Sequence, residues 1–381
     1  MKCKLEDICS YYKKKVEVSN LTLETYVSTE NMLPNKIGVV NASSLPSTKS
    51  MQAFEEGDIL VSNIRPYFKK IWKAKFNGGC SNDVLVFKAN ENIDSDFLYY
   101  VLADDAFFTY AMASSKGTKM PRGDKTSIMQ YEVPDYDVSI QKKIARILKR
   151  IDDKIELNNK INNNLLEQSL CIYNSLIKGK LKNGYIGDYC SIKSGFAFKS
   201  AWWQDAGVSV VKIGSINQDC LNLSSCSYVS QDIIPAAKDF VVSGGDLLIA
   251  MTGATIGKFT MVPKMNKTIL VNQRVGKFFL GNNPIQKIPF IYSTLKQPDI
   301  ISEVINRGQG SAQSNISASE IMSIPCVIPK LEDVNAFNKR TSSMFELIIS
   351  NQSENIFLSE LRDTLLPKLM SGEIDVSTIT I

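Results

Sequence analysis

From Ile144 onward the chain keeps a 4-3-4-3 beat through Ile144, Leu148, Ile151, Ile155, Asn158, Asn162, Leu165, Ser169, Ile172 and Leu176. That spacing holds one stripe of side chains on a single helix face, as in a coiled-coil seam. The beat returns 193 residues later as Phe337, Thr341, Met344, Ile348, Asn351, Asn355, Leu358, Arg362, Leu365 and Leu369. Each run predicts a helix of about 39 residues, roughly 58 Å long at 1.5 Å per residue. Gly179 and Gly372 stand where a glycine just past the last turn would end each helix. Both stripes place Asn at the same two central positions, where an apolar side chain would be more stable. A buried seam Asn commonly fixes register and orientation instead.

Outside the helices the apolar runs are short. Gly57-Asp58-Ile59-Leu60-Val61-Ser62 and Gly245-Asp246-Leu247-Leu248-Ile249-Ala250 each predict a turn and a buried strand. The 193-residue offset also lays Phe97-Leu98-Tyr99 on Phe290-Ile291-Tyr292, and Ile128-Met129 on Ile321-Met322. A period this long exceeds any solenoid module, so each copy is expected to be a domain with its connector. Leu5 to Cys9 matches Ile186 to Cys190, which predicts that the chain closes on itself with Met1 near Ile381. Two copies joined in sequence are expected to set their helices antiparallel about a pseudo-two-fold axis. With midpoints near Lys160 and Ser353, Asn158 should then oppose Asn355, and Asn162 should oppose Asn351.

Composition narrows the chemistry. A length of 381 residues, 44% apolar and 22% charged, suits two globular domains, and no apolar run approaches a membrane span. The chain is therefore expected to be soluble and cytoplasmic. Its eight scattered Cys lack a C-x-x-C pair and suit reduced thiols. The complete absence of His removes Ser-His-Asp and Cys-His nucleophiles, H-E-x-x-H zinc sites and His bases. Gly253 to Phe259 misses a phosphate-binding loop by one residue, with Phe259 where a magnesium-binding Ser or Thr is required. Gly308-Gln309-Gly310 opens like a dinucleotide loop, but Gln313 stands in place of the third glycine. Asn283-Pro284-Ile285-Gln286 fails as an amino-methyltransferase motif. Asp152, Asp153 and Lys154 spell part of a nuclease motif with Pro134-Asp135, yet their place in the heptad helix predicts solvated helix surface. The chain reads as non-catalytic.

With a net charge of only +5, any nucleic-acid contact must be local. Arg65, Tyr67, Lys69 and Lys70 form a basic stretch with interleaved aromatics. Lys116, Lys119, Arg122 and Lys125 occupy a loop punctuated by Gly and Pro, where backbone N–H groups and cations can approach phosphates. The matching loop of the second copy holds Arg307, Gln309 and Gln313, trading charge for amides that can pair with base edges. Gln273 and Arg274 could read bases or mark the wet face of a strand. Trp202, Trp203, Phe196 and Phe198 are expected to pack rather than stack on bases.

These residues carry a resemblance. LLPKLMSGEI (Leu365 to Ile374) and IQKKIARILKRIDD (Ile140 to Asp153) are similar to the C-terminal and central stretches of the specificity subunit of type I restriction–modification systems. Thr252 to Lys258 and Val271 to Val275 resemble patches of that family's target-recognition domains, which adds Thr252 and Lys258 to the candidate DNA contacts. The resemblance implies an α+β fold: two pseudo-symmetric α/β target-recognition domains separated by two long antiparallel coiled-coil helices. The boundaries would be residues 1–139, 140–180, 181–331 and 332–381. It also implies a subunit without a cofactor of its own, reading a bipartite double-stranded DNA site and docking two modification subunits that carry S-adenosylmethionine. Restriction subunits would bring ATP and magnesium. Two other readings stay open: the recognition portion of a single-chain restriction–methylation enzyme, and a coiled-coil scaffold that does not bind DNA.

Overall fold

The computed structural model describes residues 2–117, 119–309 and 314–379. They form two compact units, each discontinuous or bounded by helix: Met1–Asp153 with Leu358–Ile381, and Lys154–Phe357. The two long helices, α1 (Val138–Ile177) and α2 (Leu331–Ser371), each contribute to both units. Glu332 and Asp333 lie in the first turn of α2, where carboxylates complement the helix dipole. Gly179 and Gly372 both adopt left-handed backbone just past the helix ends.

In the first unit an antiparallel sheet runs in the order Cys9–Tyr11, Val84–Ala89, Ile59–Ser62, Ile71–Lys73. The second unit repeats it as Ser191–Ser194, Val275–Phe279, Leu247–Ala250, Phe259–Met261. The strands Ile59–Ser62 and Leu247–Ala250 are buried at every position, which explains why their sequences run apolar instead of alternating. Each follows a left-handed glycine, Gly57 or Gly245, and an Asp that caps the turn. Asp58 accepts from the Glu55 N–H at 2.8 Å and Asp246 from the Ser243 N–H at 2.9 Å. A second sheet differs between units: four strands in the first and five in the second, each with one parallel pair. Phe196, Phe198, Trp202 and Trp203 pack around Val208, Val210 and Val229 beside that five-stranded sheet.

The first unit takes its core from both ends of the sequence. Leu366, Leu369 and Val376 pack with Leu5, Val133 and Leu148. Met1 and Ile381 themselves lie outside the described residues, but the segments beside them share this one core. Within the unit, α1 and α2 run antiparallel, and Arg362 reaches Asp152 at 2.8 Å. Asp152 is thereby not solvated helix surface as its charge pattern predicts. It is part-buried, accepts a second bond from the Tyr100 hydroxyl at 2.8 Å, and neutralises the one arginine on the α2 seam.

In the second unit the same two helices continue antiparallel. Asn158 donates to Asn355 Oδ1 at 2.9 Å and Asn351 donates to Asn162 Oδ1 at 2.8 Å. These are the pairs set by mirroring about Lys160 and Ser353. The cluster extends to Glu354, which accepts from Asn158 at 2.8 Å, and to Asn159, which accepts from Asn355 at 2.9 Å. Asn158 is fully buried and Asn162 and Asn351 nearly so. Each neighbouring amide thus removes part of the cost of desolvating the next.

Candidate nucleic-acid interface

Three loops meet at the same end of the two central strands of the four-stranded sheet in each unit, and they are sewn together by the same backbone bonds. In the first unit Ile64 bridges Arg122, the Arg65 N–H donates to Pro121 O at 2.8 Å, and Gly123 N–H donates to Asn63 O. In the second, Thr252 bridges Asn315, the Gly253 N–H donates to Ser314 O at 3.0 Å, and Ile316 N–H donates to Met251 O. The third loop is a tight turn between strands. Val84 N–H closes it on Ser81 O in one unit, and Val275 N–H on Asn272 O in the other. It is tied in by Asn63 N–H to Asp83 O and by Met251 N–H to Arg274 O. The backbone scaffold is therefore common, while the side chains it presents are not.

The first of these loops is a single 3-10 turn, Pro66–Phe68 in one unit and Gly253–Thr255 in the other. Ser62 N–H donates to Lys70 O, and Ala250 N–H to Lys258 O, closing both turns alike. In the first unit Tyr67 is half-exposed, and Lys69 points to Asp105 at 2.6 Å. Burial raises the affinity of Asp105 for its proton, but Lys69 and Lys36 outweigh it and hold the carboxyl below its usual range. Lys70 is a correction to the sequence reading: its ammonium turns inward to Thr29 O at 2.5 Å, and desolvation lowers its pKa. It is a strut for the loop and not a free phosphate contact.

The second loop carries the remaining cations of the first unit. Lys116 and Arg122 exchange backbone bonds, forming a small clip. Lys116 pairs with Asp124 at 2.8 Å, and Arg122 with Asp83 at 3.0 Å across the junction. The cations of both pairs are exposed and screened, so the pairs orient them more than they neutralise them. Lys119 is exposed, and Lys125 is exposed at the start of the short helix Lys125–Met129.

In the second unit the presentation changes. Arg274 takes the place of Asp83, and Asn315 that of Arg122, and among the described residues no acid pairs with Arg274. Gln273 and Arg274 are exposed at the tip of their turn, and Lys258 is part-exposed with no ion pair among the described residues. Thr252 is buried, its hydroxyl without a hydrogen-bond partner among the described residues. Arg307 is the second correction: Glu303 Oε1 at 2.9 Å, Glu320 O at 3.0 Å and Ser323 Oγ at 2.7 Å occupy its guanidinium. It pins the end of the helix Pro298–Gly308 and is not available to a base. Gln309 is exposed just past that helix, and Gln313 lies outside the described residues. Asn63 and Asp83 were missed by sequence reasoning, whereas Asn315 closes the amide-rich loop of the second copy. Asn315 stands 193 residues after Arg122, Arg274 stands 191 after Asp83, and Gly245 stands 188 after Gly57, so a single offset does not align all three loops.

Among the described residues no cluster of acidic or sulfur side chains could hold a metal, and no helix is long and apolar enough to cross a membrane. Each unit thus holds the same junction and the same four-stranded sheet, with antiparallel segments of α1 and α2. The chain belongs to the type I restriction modification DNA specificity domain family, whose model matches residues 1–167 and 179–355. It is 25% identical to the HindI specificity subunit of Haemophilus influenzae over 97% of this chain and 98% of that one. The MjaVIII specificity subunit of Methanocaldococcus jannaschii is 23% identical, over 76% of this chain and 72% of its own length. The crystal structure of a type I S subunit from M. genitalium shares the fold, with a TM-score of 0.54 at 17% identity, covering 97% of this chain and 96% of that one.

Proposed function

We propose that this chain is the DNA-reading subunit of a type I restriction–modification enzyme, and that each unit contacts one half of a bipartite duplex site through its three-loop junction. The observation that carries this reading is the bond-for-bond repetition of the junction with different side chains on it. A shared scaffold with exchanged surface residues is what two readers of two different sequences require. In the first unit Arg65, Lys69, Lys116, Lys119, Arg122 and Lys125 supply phosphate contacts that position the duplex. In the second, Arg274 and Gln273 face bases, with Lys258 on the backbone.

The chain carries no catalytic step. Modification subunits dock on α1 and α2 and bring S-adenosylmethionine for adenine methylation; restriction subunits bring ATP and magnesium. The isolated chain should accordingly bind neither S-adenosylmethionine nor ATP in a calorimetric titration, and stoichiometric micromolar binding of either would overturn the assignment.

The direct test is the salt dependence of duplex binding. Replacing Lys69 with Ala should weaken binding to all sequences and flatten the salt slope by about one unit. Replacing Arg274 with Ala should instead relax preference at one base position, costing about 1–3 kcal/mol there. Binding that ignores salt would favour a scaffold without DNA contact.

A further inference from the structure

The 3-10 turns of the two junctions share one backbone but pay for it differently. Each junction holds two left-handed residues four apart: in the second unit Gly253 (φ 70), the first residue of the turn, and Gly257 (φ 84) beyond its end; in the first Arg65 (φ 50) and Lys69 (φ 50), on either side of the turn. Glycine takes this conformation without strain, whereas a residue with a Cβ takes it at a cost. The first unit thus uses two long cations where the fold itself would be content with glycine.

Between those cations the side chains also differ. The second unit has Ala254, Thr255 and Ile256, and Ile256 is folded inward at 9% exposure. The first unit has Pro66, Tyr67 and Phe68, with Tyr67 50% and Phe68 37% exposed. The two rings touch each other, centroids 4.7 Å apart and planes tilted by 51°, and Lys70 sits 5.8 Å from the Phe68 ring. The turn is braced from a third side: Asn35 N–H donates to Phe68 O at 2.8 Å and Lys36 N–H to Lys69 O at 2.9 Å. Asn35 and Lys36 are themselves left-handed. Four non-glycine residues in that conformation therefore surround one exposed aromatic pair, a concentration of strain suited to holding the rings outward.

Resting on the DNA-reading function above, we infer that Tyr67 and Phe68 are a stacking wedge, which packs on bases of the half-site read by the first unit. The flanking Arg65 and Lys69 hold the adjacent phosphates. An apolar pair ringed by cations fits a base with its backbone and fits an apolar protein surface poorly. Rings inserted against a base step make contact that owes nothing to charge. The second unit, with glycines and an inward Ile256, has no such wedge and reads its half-site without one.

The experiment uses the full chain and the duplex that it recovers from a random-sequence pool. The variant Tyr67→Ala/Phe68→Ala should lose affinity by between about fivefold and a hundredfold, with the salt slope unchanged, because stacking releases no counterions. Tyr67→Leu, which keeps apolar bulk, should lose part of that affinity and guards against misfolding of the double variant. Arg65→Gly and Lys69→Gly should bind more weakly with a flattened slope, yet melt no lower than the parent, since glycine relieves the strain. Parental affinity in the double variant, or a loss that comes with a flattened slope, overturns the wedge. Failure of the unmodified chain to select any duplex would instead defeat the DNA-reading function itself.

Discussion

Asp124 is a carboxylate with every oxygen spoken for. It accepts from the Thr126 and Ser127 N–H groups at the start of a short helix and from Lys116. The Lys116 contact, then the Ser127 N–H, hold its pKa at about 2. A folded pKa below the unfolded value stabilises the fold above the ordinary carboxylate range and is lost as pH falls toward 2. Asp124→Asn should therefore flatten the acid limb of the stability curve between about pH 4 and pH 2, measured by denaturant melts across that window. Asp152 and Arg362 present the opposite case, an ion pair taken partly out of water. Arg362→Leu leaves Asp152 with only the Tyr100 hydroxyl and should destabilise more than the double variant Arg362→Leu/Asp152→Asn, which removes both charges. Sequence could not reveal this pair. Arg362 is a charged residue on an otherwise largely apolar beat, and Asp152 stands one residue off its own; only the antiparallel register brings them together.

Helix ends and the helix crossing were the most legible elements, because period and punctuation are local. The two terminating glycines nevertheless differ in their surroundings. A Cβ at Gly179 would meet nothing within 4 Å, so Gly179→Ala should cost only the left-handed penalty, about 1 kcal/mol. At Gly372 the Cβ would also meet the Tyr136 hydroxyl at 3.0 Å, and Gly372→Ala should cost more. Thermal melts of the two variants give the order. At the crossing, Asn162→Leu strands Asn351 and should destabilise, whereas Asn162→Leu/Asn351→Leu should recover stability while loosening register. A cysteine pair placed to cross-link only the native register would read the slip. The loops were far less legible. Whether Lys70 or Arg307 faces outward depends on Thr29, Glu320 and Ser323, which come from other loops and helices and leave no trace in local pattern.

On the scale of the whole chain, the repeat predicted two domains, each with its connector. In packing, each long helix contributes to two cores and the C-terminal residues finish the first one. A circular permutant opened between Leu181 and Lys182, with a short linker joining Ile381 to Met1, should fold, since Leu181 is 86% exposed and Leu5 and Val376, near the two ends in sequence, share one core. Cooperative melting near the parental temperature would support this, and loss of the first unit's transition would refute it.

The same discontinuity has a consequence for birth on the ribosome. Leu366, Leu369 and Val376 belong to the core that Leu5, Val133 and Leu148 begin. Between Asp153 and Leu358 about 200 residues must be made. At about 5–20 residues per second, the opening unit waits roughly 10–40 seconds for its last side chains. The middle of the chain, whose core is drawn from one continuous stretch, can settle first, so the part synthesised earliest is the part completed last.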